Sequence, residues 1–305
     1  MREELRQFDF IFEPLNGLEA FESLARSLQR DGVYSAYGLD DTQRAHLLAA
    51  LALRADRPLL VLTPNEMAAQ RLTEDLNVLL AGRAAMLPPR DISFLRTAAS
   101  SHELSMRRIE ALGRAATGEL SALVVPVDAM LHRLISRERF LQHVIEIDES
   151  MRLNPTDLIE RLVAAGYERV QIVESRGQCA LRGGILDVYP VGEANALRIE
   201  FFDDEIDSLR SFDVMTQRSI SNRTSPTLYP AAEMLMEESE VLRAAHELDV
   251  LLRSGTQGTE EKEDRQKQIE REFDLMPFED FLELTYAGGD EDELPEIGAL
   301  FAAPK

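Results

Sequence analysis

Two short runs between Gly177 and Arg218 constrain the fold of this 305-residue chain more than any other feature. The first reads Arg-Gly-Gly-Ile-Leu-Asp-Val-Tyr-Pro over residues 182–190, and the second reads Leu-Arg-Ile-Glu-Phe-Phe over residues 197–202. The second run alternates with a period of two, which predicts a β-strand. One face of this strand would carry Leu197, Ile199 and Phe201, and the other face Arg198, Glu200 and Phe202.

Phe202 is the unusual residue of this strand, because it shares a face with two charged side chains. An aromatic side chain beside an arginine on an open strand face is typical of a protein-binding hot spot. The alternative is that Phe202 packs beneath a helix or the next loop and belongs to the core. Alternation alone leaves both interpretations open.

The two runs resemble the signature of a module that the UvrB subunit of nucleotide excision repair shares with the bacterial transcription-repair coupling factor. The pattern of that family is an Arg-Gly-Gly-Ile-Leu-Asp strand ending in proline, then Arg-Ile-Glu-Phe-Phe-x-Asp-Glu-Ile-x-Ser, and finally Gln-Arg. The matching positions are Arg182–Pro190, Arg198–Asp213 and Gln217–Arg218. The resemblance covers roughly residues 15–230 and is stronger to the coupling factor than to UvrB.

The resemblance implies an α/β fold in which a degenerate RecA-like (P-loop NTPase-like) parallel-sheet domain is split by an inserted α+β UvrA-binding domain. Residues 1–140 would form UvrB-like domain 1a, a parallel α/β domain without a Walker A motif. Residues 141–230 would form UvrB-like domain 2, which binds UvrA. Residues 231–305 would form an acidic helical segment, a partial domain 1b packing on domain 1a.

A function follows from the same resemblance. The family contacts UvrA through residues that correspond to Arg182, Arg198 and Phe202 here. The chain is therefore expected to be a non-catalytic docking module that recruits UvrA to stalled RNA polymerase. Contacts with RNA polymerase and DNA are expected only through other parts of a longer parent protein, an ATP-dependent DNA translocase of which this chain would be a piece. The alternatives are an ATP-dependent helicase-type enzyme of the UvrB kind, or an acidic scaffold domain with another protein partner.

Helices and strands alternate before residue 140, which predicts a parallel sheet with helices on both faces. The predicted helices cover residues 18–30, 42–53, 65–80, 101–116 and 128–135, with Thr42 as the N-cap of the second. The predicted strands cover residues 33–37, 59–62, 84–87 and 120–125. In the second domain, Asn154 and Pro155 predict the start of a helix that ends at Ala164.

The turn from Tyr37 to Thr42 stands where a phosphate-binding loop would lie, between a predicted strand and a helix. Such a loop needs Gly-x-x-x-x-Gly-Lys-Ser/Thr, so that backbone amides and a lysine hold the phosphates. This turn has one glycine, no lysine and two aspartates, Asp40 and Asp41, which would repel phosphate. The sequence therefore predicts no nucleotide binding and no ATP hydrolysis by this segment. The resemblance agrees, because the coupling factor's module has lost the motif that UvrB keeps.

Two features argue against direct binding to DNA. UvrB clamps DNA with a long hairpin, and the stretch between Leu87 and Ser101 is too short for one. The net charge is −22, and the acidic excess is greatest in residues 233–305. An acidic chain lacks the counterion release that dominates affinity for DNA.

Metal sites and cofactors are not expected. Val144–Ser150 resembles a Walker B strand, with Asp148 and Glu149 in the positions that hold Mg²⁺ and orient water, but no phosphate loop precedes it. The run Asp203-Asp204-Glu205 is expected to be a solvated turn. The five histidines show no metal-ligand spacing.

The single cysteine, Cys179, excludes an intrachain disulfide framework. No apolar run has the length of a membrane span, and the N-terminus lacks a basic-then-apolar signal. The chain is therefore expected to be cytoplasmic and to have no membrane partner.

Overall fold

The structure is a computed structural model, and it describes residues 9–27, 32–55, 57–90, 98–235, 243 and 275–276. The chain divides into two compact units. The first unit comprises Met1–Arg90, Arg114–His132 and Phe278–Lys305, and the second comprises Asp91–Gly113 and Arg133–Pro277.

The first unit contains a three-stranded parallel sheet. Its strands are β1 (Leu59–Thr63), β2 (Ala84–Met86) and β3 (Ala122–Pro126), and their order is β1-β3-β2. In the register of the sheet, Val61 and Met86 both lie beside Val124. The parallel sheet predicted for this half of the chain is confirmed.

Helices begin where polar side chains satisfy free backbone amides. The helices and one short 3-10 turn before residue 90 are α1 (Asp9–Phe12), the turn Glu13–Leu15, α2 (Glu19–Ser27), α3 (Asp41–Arg54) and α4 (Glu66–Leu79). The Asn65 side chain accepts a hydrogen bond from the Ala68 amide at 2.9 Å and opens α4. The core of this unit joins α3 and α4 to the sheet, with Ala49, Leu76 and Val124 fully buried.

Two predicted elements of the first unit are wrong. Residues 33–37 form no strand, and the side chains of Val33 and Tyr37 are exposed. A strand needs a neighbour for its backbone groups, and no strand in the described residues pairs with this segment. The helix predicted over residues 128–135 is much shorter in the structure, where α6 covers only Val127–Met130.

Residues at the end of that predicted helix are extended instead. Leu134–Ile135 form β4, which pairs antiparallel with Leu275–Met276, the strand β13 of the second unit. The helix between β2 and β3 is α5 (Ala98–Ala116), and α7 (Arg137–Gln142) follows β4. A second small sheet pairs β5 (Ile145–Glu146) with β12 (Thr227–Leu228).

A six-stranded sheet dominates the second unit. Its strands are β6 (Glu168–Arg169), β7 (Gln178–Arg182), β8 (Ile185–Val188), β9 (Ala196–Phe202), β10 (Glu205–Phe212) and β11 (Ser219–Asn222). They lie in the order β11-β10-β9-β8-β7-β6, and every pair except β6 with β7 is antiparallel. Short connections in sequence favour this antiparallel arrangement, as the α+β prediction requires.

One face of this sheet packs against α8 (Pro155–Ala164), which lies on β7 and β8. Asn154 caps α8 by accepting a hydrogen bond from the Thr156 amide at 2.8 Å, and Pro155 occupies its first turn, so the predicted start is confirmed. Leu158, Ile159 and Leu162 are buried on this helix. The mixed α/β architecture predicted from sequence is therefore present, with a parallel sheet in one unit and a mostly antiparallel sheet in the other.

The domain boundaries at residues 140 and 230 stay predictions. The compact units place the described residues 98–113 and 133–140 with the six-stranded sheet, whereas the predicted boundary assigns these residues to domain 1a. Leu60 and Ile185 lie in separate sheets. Most of the acidic segment predicted over residues 231–305 lies outside the described residues.

Candidate partner-binding surface

The alternation of β9 places its side chains on the two faces predicted from sequence. Leu197 and Ile199 are fully buried on one face. Arg198 is half-buried on the opposite face, and Phe202 is 78 % exposed. No helix or loop of the described residues covers Phe202, so the interpretation that it belongs to the core is wrong for this part of the chain.

A tight turn at Asp203-Asp204 presents Phe202. Asp203 has a φ of 59°, a left-handed conformation that aspartate tolerates better than most residues. Phe202 and Glu205 pair across the turn. Arg152 forms an ion pair with Glu205, and the Leu153 amide donates to the carbonyl of Asp204 at 2.8 Å. The run lies in a turn, as predicted, and Asp203 and Glu205 are exposed.

The glycine pair forms the turn between β7 and β8. Gly183 has a φ of 61°, which glycine adopts without strain. A Cβ on Gly184 would lie 2.9 Å from the carbonyl oxygen of Phe201, and the Phe201 amide donates to the Gly184 carbonyl at 2.8 Å. The backbone of this turn therefore lies close to β9 and is hydrogen-bonded to it.

Arg182 and Arg198 converge on one buried carboxylate, that of Asp187. Arg182 Nη2 donates to Asp187 Oδ2 at 2.6 Å, and Arg198 donates through Nε to Oδ1 at 2.6 Å and through Nη2 to Oδ2 at 2.9 Å. The Asp187 side chain is 2 % exposed, whereas those of Arg198 and Arg182 are 17 % and 48 % exposed. We call these three residues the Asp187 cluster.

Arg198 is fixed by further contacts on this face. Its Nη2 also donates to Gln217 Oε1 at 2.9 Å, and its guanidinium lies 4.3 Å from the centre of the Phe212 ring. Planar guanidinium groups favour this combination of forked hydrogen bonding and ring stacking. The hydrogen bonds to Asp187 raise the pKa of the Arg198 guanidinium above its ordinary value.

Sequence reasoning did not single out Asp187. It lies directly opposite Arg198 in the register of β8 and β9. The sequence signal that could have identified Asp187 is its position between two apolar residues of a strand, Leu186 and Val188. Both neighbours are fully buried, and a buried carboxylate requires partners. Of the three predicted contact residues, the structure brings Arg182 and Arg198 together through Asp187 and places Phe202 two positions beyond Glu200 on the same face of β9.

The turn that resembles a phosphate loop has its helix end already capped. The Asp40 side chain accepts a hydrogen bond from the Gln43 amide at 2.8 Å, and the Asp40 amide donates to Gln43 Oε1 at 3.1 Å. The N-cap of α3 is thus Asp40, and the prediction of Thr42 is wrong. This reciprocal capping box places a carboxylate where a bound phosphate would need free amides.

In the segment that resembles a Walker B strand, the Asp148 carboxylate is engaged in local hydrogen bonds. Asp148 Oδ1 accepts hydrogen bonds from the Ser150 amide at 2.9 Å and from its hydroxyl at 2.5 Å. These bonds lower the pKa of the Asp148 carboxyl. Across the described ranges, no group of three histidine, cysteine, aspartate or glutamate side chains is arranged to hold a metal ion. None of the helices described is both long enough and apolar enough to cross a bilayer.

Comparisons with known proteins agree with the geometry of this unit. Residues 145–234 match the model of the UvrB interaction domain. The transcription-repair-coupling factor of Bacillus subtilis (strain 168) is 36 % identical over 233 residues, which are 76 % of this chain and 20 % of that protein. That of Haemophilus influenzae is 32 % identical over 181 residues, covering 59 % of this chain and 16 % of the relative.

The same kind of relative occurs in Staphylococcus aureus (strain bovine RF122 / ET3-1), where the transcription-repair-coupling factor is 31 % identical over 213 residues. That match covers 69 % of this chain and 18 % of the relative. The chain thus spans no more than a fifth of the length of these curated relatives. The chain carries a UvrB interaction domain at residues 145–234 and is related to the bacterial transcription-repair-coupling factors over most of its own length.

Proposed function

We propose that this chain is the docking module of a transcription-repair coupling factor and that it recruits UvrA to stalled RNA polymerase. One observation carries the proposal: within the UvrB interaction domain, Phe202 is 78 % exposed on the same sheet face as Arg182 and Arg198. Aromatic residues and arginine are enriched among the few residues that carry most of the binding energy of a protein interface. Arg182, Arg198 and Phe202 are the proposed UvrA-binding residues.

The proposed docking module does not bind or hydrolyse ATP. We assign the first unit to a degenerate RecA-like domain that the second unit interrupts. The capping box at Asp40 and Gln43 supports the loss of nucleotide binding, because it satisfies the amides that phosphate would use. ATP-driven translocation on DNA and contact with RNA polymerase would belong to other parts of the parent. We place the recruitment of UvrA in the cytoplasm, where bacterial transcription and DNA repair take place.

A capture experiment with purified UvrA tests the proposal. The full chain, immobilised through its C-terminus, is expected to retain UvrA at low micromolar concentration and physiological salt. UvrA purified separately should not be retained by the bare support. Absence of retention by a chain that is folded by circular dichroism would contradict the proposed function and favour another protein partner.

A further inference from the structure

Phe202 does not stand alone as an exposed apolar side chain on its sheet face. Ile185 lies opposite Glu200 in the register of β8 and β9, and Phe202 follows two positions after Glu200 on the same face. Such diagonal neighbours are about 7–8 Å apart, within reach of long side chains. Ile185 is 37 % exposed, although its neighbour Leu186 on the other face is fully buried. The face therefore offers an apolar pair, Ile185 and Phe202.

A cation borders this apolar pair on one side. Arg182 lies directly opposite Ile185 in the register of β7 and β8. It uses only Nη2 on Asp187, and its Nε and Nη1 make no hydrogen bond with any residue that the structure describes. Arg182 thus has donors available for a partner's carboxylate, in a forked geometry that suits one.

Arg198 is used differently. Its Nε and Nη2 are engaged by Asp187 and Gln217, its plane lies over Phe212, and its side chain is only 17 % exposed. With one carboxylate between two guanidinium groups, the Asp187 cluster keeps a single surplus positive charge. That charge is accessible at Arg182.

From these contacts we infer a division of roles within the proposed UvrA-binding surface. Arg182, Ile185 and Phe202 touch the partner, whereas Arg198 and Asp187 are positioning residues that hold Arg182 in place. The partner epitope has one carboxylate next to an apolar side chain, so that the carboxylate meets Arg182 and the apolar group meets Ile185 and Phe202. This inference rests on the proposed function; it adds Ile185 to the contact residues and gives Arg198 an indirect part in UvrA binding, through the position of Arg182.

The acidic turn beyond Phe202 fixes the direction in which such an epitope can dock. Asp203 follows Phe202 and is exposed, and the exposed Glu205 pairs with Phe202 across the turn. Arg152 forms an ion pair with Glu205, so Asp203 is the carboxylate that would repel a carboxylate of the partner at this end. Arg182 would attract that carboxylate two strands, or about 10 Å, away. The surface therefore has a direction: the cation Arg182 lies at one end, the apolar pair Ile185 and Phe202 in the middle, and the acidic turn at the other end.

Calorimetric titration of the full chain with purified UvrA tests these roles. Arg182→Ala and Ile185→Ala are each expected to weaken binding at least fivefold. Ile185→Ala should leave the unfolding temperature unchanged, whereas Arg182→Ala should lower it by less than Arg198→Ala does, because Arg182 gives Asp187 one hydrogen bond and Arg198 gives it two. The matched controls are Arg161→Ala, an exposed arginine on α8, and Ile220→Ala, a 55 % exposed isoleucine on β11. Both controls are expected to bind like the parent. Raising salt should weaken the parent more than Arg182→Ala, because the charge pair at Arg182 is screened.

The outcomes separate this inference from the function on which it rests. If the parent does not bind UvrA, the proposed function is wrong. If the parent binds and Ile185→Ala binds equally well, the assignment of Ile185 is overturned. If Arg198→Ala loses binding while its unfolding temperature stays that of the parent, Arg198 is a contact residue and the division of roles is overturned. Weak binding by Arg198→Ala with a lowered unfolding temperature, rescued in part by Arg198→Lys, supports it.

Discussion

Arg198 and Asp187 face each other across β8 and β9, and Arg198 donates two hydrogen bonds, at 2.6 and 2.9 Å, to a carboxylate that is 2 % exposed. The pair lies on the face of β9 that also carries the exposed Phe202, beside the buried Ala196 and Phe212. A buried carboxylate is costly unless it is paired, so the face that carries the proposed docking surface also contributes to folding.

Arg198→Ala is therefore expected to destabilise the second unit. The substitution leaves the Asp187 carboxylate with Arg182 as its remaining partner, and the loss of a buried acceptor's partner costs about 1–3 kcal/mol. Urea unfolding followed by circular dichroism measures the change, and Arg161→Ala is the control. An unchanged midpoint would show that Asp187 does not depend on Arg198.

Gly184→Ala should disturb the turn between β7 and β8. The new Cβ would lie 2.9 Å from the Phe201 carbonyl oxygen, which is backbone and cannot move aside cheaply. A loss of about 1–3 kcal/mol in the free energy of unfolding is expected, typical of overpacking. Gly183→Asn is the matched control, because its Cβ meets no atom within 4 Å and asparagine tolerates a φ of 61°. Equal stability of the two variants would contradict the close approach seen at Gly184.

Cys179 should be unreactive in the folded chain. It is fully buried, and burial raises the pKa of its thiol to about 11. Because the thiolate is the nucleophile, alkylation at pH 8 is expected to be slow in buffer and fast in denaturant. Timed mass spectrometry with iodoacetamide measures both rates, and rapid labelling of the folded chain would refute the burial of this thiol.

The same thiol makes a contribution to stability with a defined pH dependence. Its folded pKa of about 11 lies above the ordinary thiol value of about 8.5. The contribution is thus fully present below about pH 8.5 and is lost as the pH rises toward 11. Replacing Cys179 with alanine should reduce the loss of stability in this window, as read from urea midpoints at several pH values. Parallel pH profiles of parent and variant would contradict the assignment.

The chain should not bind ATP at the start of α3. The Asp40 carboxylate accepts a hydrogen bond from the Gln43 amide, so that amide is not available to a phosphate, and the carboxylate adds negative charge where the phosphate would lie. Calorimetry with ATP and Mg²⁺ is expected to show no heat of binding. Micromolar affinity that disappears in Thr42→Ala would contradict this interpretation and restore the helicase-type alternative.

How far sequence reasoning reached depends on the range of the interactions involved. The two faces of β9 were predictable, because a period of two is visible within the strand itself. The role of Asp187 was not, because it depends on the register between β8 and β9, which places Arg198 opposite it. The strand predicted at Val33–Tyr37 failed for a similar reason, since its local composition favours a strand but no neighbour pairs with it among the described residues.

The N-cap of α3 could have been predicted correctly from the sequence. Both Asp40 and Thr42 are good N-cap residues, but only Asp40 has a glutamine three positions later to complete a capping box. The exposure of Phe202 could be suspected but not decided from sequence, because the answer depended on whether any later segment covered it. The boundaries at residues 140 and 230 came from the family resemblance and remain predictions.

The affinity of UvrA for Phe202→Ala tests the central claim most directly. Phe10→Ala is the matched control, because Phe10 is 67 % exposed on the other unit. If Phe202 is the centre of the docking surface, its truncation should cost about 2 kcal/mol of binding free energy, roughly a 30-fold rise in Kd, with the unfolding temperature unchanged. Phe10→Ala should bind UvrA like the parent. Equal Kd values for the parent and Phe202→Ala would contradict the account.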